Sequence, residues 1–225
     1  MIYLRELNHG ILILIKSMLY SIAHFVKKKI PFVWEIIDQI NSVLFSWRYG
    51  RKLEQMMAGL KLSRESKGGI QVIAEPMMEV PASEMVSFFD NQPESAYTYF
   101  RPHGFDAESI TKLQRNKSFI AYVFRDADNQ KIIGYFFLRS FFMGKAYRGR
   151  MVDSNYQSKG LATLGNQLMA EVGFGIGLRI YESVSRKNIA SYRSSMAASD
   201  MKVLKELEND EVLLEVIKNN SSSSS

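Results

Sequence analysis

The chain has 225 residues, of which 46% are hydrophobic and 12% aromatic, so it can bury one domain core and carry a sizeable extension, and wholesale disorder is excluded. It contains no cysteine, which excludes disulfides, thiolate zinc sites and a cysteine nucleophile and favours a reducing cytoplasm. The formal net charge is +6, and the first 64 residues, with ten basic and four acidic side chains, account for all of it.

Residues 1–64 are predicted to form a helical extension. Between 33 and 47, apolar residues recur with the spacing of an amphipathic helix, and Pro31 suits its first turn. Residues 11–26 are more apolar, but their uninterrupted apolar run ends at Lys16. A membrane span needs about 20 mostly apolar residues, and a signal peptide needs a small-residue cleavage site that is missing here. Both are therefore rejected.

The sequence leaves three alternatives for the surface that this extension contacts. Its apolar faces can pack on the following domain, on a second copy of the chain in a homodimer, or on a membrane surface. The basic excess suggests an anionic partner, with a solvated helix face as the equal alternative. No stacking motif accompanies it, so no nucleic-acid partner is expected. The expected location is the cytoplasm, with peripheral contact at the inner membrane face as one alternative.

Residues 65–220 are predicted to form one domain, after a polar linker at 64–69 and before a serine tail at 221–225. Strands are expected at 70–75, 119–125, 131–142, 145–153 and 179–185, with two more between 202 and 217 that turn at Asn209 and Asp210. Helices are expected at 82–90, 107–116, 160–174 and 187–198. This order predicts an α/β or α+β fold with a mixed, mostly antiparallel sheet flanked by helices.

The loop at 157–162 carries the clearest chemical signal. It follows a predicted strand that ends near Val152 and precedes a predicted helix. Backbone N–H groups in such a loop, with the unpaired donors of the first helical turn, form a concave anion site. Gly160 permits close approach and a positive φ, Ala162 is small, and Lys159 adds charge at the rim. The loop therefore indicates a diphosphate ligand, with an ordinary turn as the alternative.

The segment 152–162, with Gln157, Gly160 and Ala162 in its defining positions, resembles the signature of the GNAT superfamily of acetyl-CoA-dependent N-acetyltransferases. A second segment at 184–191, Val-Ser-Arg-Lys-Asn-Ile-Ala-Ser, is similar to the motif that closes the next strand in that family. The chain also resembles the acetyltransferases encoded among bacterial surface-polysaccharide genes. The likeness covers roughly residues 70–217.

The resemblance implies where acetyl-CoA binds. It implies a V-shaped opening between the strands that end at Val152 and Val184, with the pyrophosphate on the amides of 157–162 and the pantetheine arm along the main chain of Val152. Asn188 would lie near the far end of that arm. The residues implied for acetyl-CoA are Val152, Gln157, Ser158, Lys159, Gly160, Leu161, Ala162 and Asn188; no metal is implied.

The sequence departs from the family pattern at the catalytic groups. Many members have a general-acid tyrosine seven residues after the asparagine, where this chain has Ser195, and Tyr192 lies a turn too early. Members that acetylate protein N-termini often have a glutamate at the position of Ser183. Here Glu182 precedes it and should point to the opposite face of the strand. The acid and base are therefore not identified by the resemblance.

Four other residues are candidates for the reaction. His103 can serve as a base or contact the acceptor, because its pKa lies near neutrality; the alternative is a loop histidine without a role. Tyr181 can donate a proton or a hydrogen bond, or simply pack. Ser183 shares its face of the strand and is expected to contact the acceptor. Arg101 can bind an anionic group of the acceptor.

The predicted function is transfer of an acetyl group from acetyl-CoA to a primary amine of a small molecule or amino sugar, by direct attack on the thioester. The alternative is a non-catalytic CoA-binding or interaction module, whose helical extension binds a membrane or a partner. Turnover with an amine discriminates between the two.

Overall fold

A computed structural model describes residues 31–218 of the chain. The chain divides into two compact units, Met1–Asn41 and Ser42–Ser225. Of the first unit, residues 31–41 are described, and they form the first part of helix α1 (Pro31–Ala58). The helix expected at 11–26 and the serine tail lie outside the described residues, so they and their contacts stay predictions. No helix within 31–218 combines the length and apolar character that crossing a membrane would need.

The later part of α1 belongs to the same compact unit as the sheet. Phe45 is fully buried and Tyr49 is 5% exposed, and both pack in the core against the sheet. Trp47, which lies on the predicted apolar stripe, is instead 83% exposed. Because this helix is apolar on two sides, its periodicity alone does not tell which side is buried. The compact unit that contains the sheet begins at Ser42, and the domain bounds expected at 65–220 stay a prediction.

The second unit is built on one sheet of eight strands. The strands are β1 (Ser63–Glu65), β2 (Gln71–Pro76), β3 (Phe119–Asp126), β4 (Ile132–Phe141), β5 (Lys145–Val152), β6 (Arg179–Ser185), β7 (Met201–Glu206) and β8 (Glu211–Val216). Their order is β1-β2-β3-β4-β5-β6-β8-β7, and every neighbouring pair is antiparallel except β5 and β6. The predicted mixed, mostly antiparallel sheet is confirmed.

Within the described residues, four α-helices follow α1. They are α2 (Ala82–Asp90), α3 (Ala107–Arg115), α4 (Leu161–Gly175) and α5 (Ile189–Ala198). Each matches a predicted helix to within two residues at either end, because each has a strong local pattern or cap. Asp106, for example, caps α3 by accepting a hydrogen bond from the Ser109 N–H.

The segment expected as a linker at 64–69 instead forms the end of β1 and the turn that leads to β2. β1 pairs with β2, and the Ser66 N–H donates to the carbonyl of Ile70 at 2.9 Å, closing a hairpin. The polar composition that suggested a linker reflects an exposed edge strand and its turn. The turn predicted at Asn209 and Asp210 is confirmed, since both residues have positive φ, at 59° and 58°.

The sheet buries side chains on both faces, which follows from the alternation of residues along its strands. The face that packs against α1 and α4 is called the α4 face; the face that packs against α2 and α3 is called the α2 face. The α4 face includes Tyr122, Phe124, Phe136 and Leu138. The α2 face includes Val123, Tyr135, Phe137 and Met151.

Candidate active site

Among the strands of residues 31–218, β5 and β6 are the one parallel pair, and the sheet opens between them. Residues 145–147 of β5 pair with 179–181 of β6, and beyond these residues the two strands no longer pair. The outer edges of both strands stay paired, β5 with β4 and β6 with β8. The two strands therefore diverge toward their carboxyl ends and leave a V-shaped gap.

One edge of β5 offers main-chain groups to this gap. The Asp153 N–H donates to the carbonyl of Ile133 at 3.0 Å, toward β4. Since successive residues of a strand direct their N–H and C=O groups to opposite edges, those of Val152 point to the open side. They are available to pair with an extended ligand.

The loop between β5 and α4, at the wide end of the gap, has the backbone geometry typical of an anion site. Gly160 is the N-cap of α4, with φ of 80°, and no side chain caps the helix. The N–H groups of the first helical turn, at Leu161, Ala162 and Thr163, have no partner within the helix. Fifteen residues of helix add a dipole with its positive end here. The loop thus suits a phosphate group.

The β1–β2 hairpin supports this loop from behind. The Gly68 N–H donates to the carbonyl of Lys159 at 3.2 Å, and a Cβ at Gly68 would lie 2.8 Å from that oxygen. A Cβ at Gly160 would lie 3.2 Å from the main chain of Lys67. Close packing against the Lys159 main chain therefore requires glycine at position 68, and the positive φ favours glycine at position 160. Sequence reasoning missed this support because Gly68 and Lys159 are far apart in the chain.

A cleft of about 900 Å³ runs from this loop along the gap. Seven of the eight residues implied for acetyl-CoA line it: Val152, Gln157, Ser158, Gly160, Leu161, Ala162 and Asn188. Lys159 does not line it, and its Nζ lies 4.7 Å from the centre of the Tyr156 ring. The Asn188 side chain caps α5, accepting from the Ser191 N–H at 3.1 Å. An uncapped helix end, an open strand edge and a long cleft fit the pyrophosphate and pantetheine of acetyl-CoA.

Beneath the cleft, one buried carboxylate joins two arginines. Arg148 donates from Nε and Nη2 to Oε2 of Glu182, at 3.0 and 2.6 Å. Arg150 donates from Nη1 to Oε1 of Glu182 at 2.7 Å. The side chains of Arg148, Glu182 and Arg150 are 0%, 3% and 7% exposed. Burial would raise the pKa of Glu182, but the charges of Arg150 and Arg148 lower it to about 2.

Serines of α5 complete this network. The Ser195 hydroxyl donates to Oε1 of Glu182 at 2.6 Å and accepts from Nη2 of Arg150 at 2.9 Å. The same Nη2 lies 2.7 Å from the Ser191 carbonyl and 2.9 Å from the Ser194 hydroxyl. Ser195, at the position of the family's tyrosine, is fully buried. The serine hydroxyl at this position contacts the guanidinium of Arg150 and the carboxylate of Glu182.

His103 lies on the α2 face within a cluster of aromatic rings. Its Nδ1 lies 2.7 Å from the Gly104 carbonyl and its Nε2 lies 3.0 Å from the Tyr135 hydroxyl. A carbonyl only accepts, so Nδ1 carries the proton and Nε2 accepts from Tyr135. Burial lowers the pKa of His103, against the opposing effect of the Gly104 hydrogen bond. The histidine is not among the residues that line the cleft.

The other three predicted residues also lie off the cleft lining. Tyr181 is 6% exposed at the narrow end of the gap, with its ring 5.7 Å from that of Tyr147. Burial raises the pKa of Tyr181, and Glu215 adds to this effect. Ser183 is exposed on the same side of β6. Arg101 is exposed and donates to the Tyr97 carbonyl at 3.3 Å. Their roles stay predictions.

The segment after α2 forms the other wall of the cleft. Its lining residues are Pro93, Ser95, Ala96, Tyr99 and Phe100. No carboxylate lines the cleft in the described part of the chain, whereas Arg150 and Arg193 do. Within residues 31–218 no three His, Cys, Asp or Glu side chains are grouped so that they could hold a metal ion.

No protein-family model matches the sequence, and no curated protein matches it. Solved structures do match the fold. The GNAT domain of PAT from S. lividans is 16% identical, with a TM-score of 0.59 over 68% of this chain and 94% of that one. Ribosomal-protein-S5-alanine acetyltransferase from Vibrio fischeri is 17% identical, with a TM-score of 0.56 over 72% and 98%.

A variant of SpeG spermidine N-acetyltransferase from Vibrio cholerae is 17% identical, with a TM-score of 0.54 over 65% of this chain and 92% of that one. These matches cover nearly the whole of each of the three chains, so the likeness is to a complete domain. Because the sequence identities are low, the likeness concerns the fold alone. The chain therefore has the GNAT fold, as its two sequence motifs implied.

Proposed function

We propose that this protein transfers an acetyl group from acetyl-CoA to a primary amine of a small molecule or an amino sugar. The observation that carries the proposal is the uncapped N-terminus of α4, which opens through the loop 157–162 into the cleft between β5 and β6. The GNAT fold supports it, since two of the similar structures are named as acetyltransferases.

The chain's own groups supply binding and orientation of the donor. The amides of 157–162 and the helix dipole hold the pyrophosphate. The Val152 main chain pairs with the amides of the pantetheine arm, which fixes the thioester end toward the narrow part of the gap. Holding the two reactants in one geometry converts a bimolecular reaction into an effectively unimolecular one.

The acceptor side of the cleft suits a neutral, hydroxylated or planar amine. Tyr99 and Phe100 offer ring faces, and Ser95 offers a hydroxyl. The lining has no carboxylate within the described residues, so a polycationic acceptor finds no countercharge there. The acceptor reacts as the free amine, which requires loss of its ammonium proton before attack.

The first test is acetyl-CoA binding by calorimetry to the wild type and to Ala162→Glu. Ala162 lies in the first turn of α4, where the helix dipole stabilises a carboxylate. The variant should therefore fold normally. The same carboxylate should repel the pyrophosphate and weaken binding by about 100-fold or more. Gln167→Glu adds the same charge to an exposed position of α4 outside the cleft and should bind as the wild type does.

The second test is a panel of acceptors that includes an amino sugar, an aliphatic amine, spermidine and a peptide with an N-terminal alanine. Release of CoA with the amino sugar or the aliphatic amine is expected. A folded wild type that does not bind acetyl-CoA would contradict the proposal. Binding without turnover of any amine would favour the non-catalytic CoA-binding module.

A further inference from the structure

The cluster of Arg148, Arg150 and Glu182 carries one more positive than negative charge. Glu182 is the only carboxylate in contact with either guanidinium among the described residues. It meets Arg148 through Oε2 and Arg150 through Oε1, so neither arginine has a counterion of its own. A buried net charge is costly, and an anion that approaches it offsets part of that cost.

Arg150 is the member of this cluster that reaches the cleft. Arg148 is fully buried behind it, whereas Arg150 lines the cleft together with Ser191 and Ser194. Arg150 precedes Val152 by two residues on β5, which places it about 7 Å nearer the narrow end of the gap. A donor whose pyrophosphate lies on the loop 157–162 directs its thioester toward this end.

We propose that Arg150 stabilises the thiolate of the departing CoA by its charge and is therefore a catalytic residue; this inference rests on the proposed acetyl transfer. In the step, the amine nitrogen forms a bond to the thioester carbonyl carbon. The carbon–sulfur bond breaks, and its electron pair goes to sulfur. The ammonium proton on nitrogen passes to water, so the products are the amide, the CoA thiolate and a hydrated proton.

Arg150 acts here as a fixed cation and not as an acid. A guanidinium does not lose its proton in proteins, and the Ser195 proton is directed to Glu182. Glu182, Arg148 and Ser195 are positioning residues, because they hold the guanidinium of Arg150 without lining the cleft. Burial beneath the cleft strengthens the attraction between cation and thiolate, since less water screens it.

The direct test is the pKa of the CoA thiol in its complex with the protein, measured from the ultraviolet absorbance of the thiolate. A cation within about 4–6 Å should lower this pKa by about 1–3 units relative to free CoA. In Arg150→Gln the thiol should titrate as free CoA does, and kcat should fall about 100-fold. Arg150→Lys keeps the charge and should retain most of the shift.

Arg193→Gln is the matched control, because it removes another arginine from the cleft lining but one that is exposed on α5. It should leave the thiol pKa of bound CoA lowered. Arg150→Gln should remain folded, since Glu182 keeps both bonds from Arg148. If Arg150→Gln does not fold, the thiol pKa of CoA bound to the wild type remains as the test.

Two outcomes separate this inference from the proposed function. If CoA binds to the wild type but its thiol titrates as in free solution, or equally in the wild type and Arg150→Gln, the role of Arg150 is overturned while acetyl transfer is untouched. If the wild type does not bind CoA at all, the proposed function fails, and the inference fails with it.

Discussion

His103 and Glu182 lie on opposite faces of the sheet, and their surroundings accommodate them in opposite ways. On the α2 face, His103 lies among the rings of Phe89, Phe105, Phe119 and Phe137, with one phenol and one carbonyl as its polar partners. On the α4 face, Glu182 lies among two guanidiniums and a serine hydroxyl.

The difference between the surroundings of His103 and Glu182 shows that burial by itself does not identify a functional residue. Burial without a countercharge lowers the pKa of His103 and keeps it neutral, which is compatible with a packing role. Burial with two countercharges keeps Glu182 ionised and leaves an excess positive charge beside the cleft. A histidine near neutral pKa is the more obvious candidate in a sequence, yet the charge imbalance is the stronger signal in the structure.

The largest expected effect is that of Glu182→Ala. It leaves Arg148 and Arg150 buried without a counterion, so the free energy of unfolding should fall by about 3–5 kcal/mol. Glu215→Ala is the matched control, because Glu215 pairs with Arg179, whose side chain is 63% exposed, and should cost less than about 1 kcal/mol. Urea unfolding measures both. Equal losses would contradict the special role of the buried cluster.

Acid should destabilise the two faces in different pH ranges. The folded-state pKa of Glu182 is lowered from 4.5 to about 2. Its contribution to the free energy of unfolding is therefore fully present above pH 4.5 and is lost as the pH falls from 4.5 to about 2. The loss should be on the order of 3 kcal/mol. The folded-state pKa of His103 is also lowered, so its contribution fades earlier, as pH falls below 6.5. The free energy of unfolding of the wild type, Glu182→Gln and His103→Phe, measured as a function of pH, should assign each pH interval to its residue. If the free energy of Glu182→Gln falls below pH 4.5 as steeply as that of the wild type, the assignment to Glu182 is wrong.

His103→Phe should cost about 1–3 kcal/mol of stability, because the buried Tyr135 hydroxyl loses its acceptor. Adding Tyr135→Phe removes the unpaired group and should recover part of the loss. With any amine that turns over, kcat should change by less than about tenfold, whereas loss of a general base costs about 100-fold or more. A loss of that size with retained stability would restore His103 as the catalytic base.

The smallest expected effect is that of Ser195→Ala. It removes one hydrogen bond to Glu182 and one from Arg150, both of which keep other partners, so about 0.5–1.5 kcal/mol should be lost. Ser194→Ala, which removes a hydroxyl from Arg150 but none from Glu182, should cost less. A larger loss in Ser194→Ala would show that Ser195 does not hold the carboxylate.

Local patterns were sufficient for most of the fold. The positions of α2 to α5 and of β2 to β8 follow from periodicity, caps and turn residues, each of which acts within a few residues of chain. The loop 157–162 was recognisable for the same reason, since strand, glycine and helix start are contiguous. β1 was missed because three residues of edge strand carry too little pattern to distinguish them from a loop.

By itself, therefore, the sequence determined most of the helices and strands and the loop 157–162 with its GNAT-like motif. Only the tertiary structure decided which side of α1 is buried, that Gly68 supports Lys159, and that Arg148 and Arg150 of β5 share the carboxylate of Glu182 on β6. These contacts join residues far apart in the chain. Their energies depend on burial and on charges brought together by packing, which no local pattern encodes.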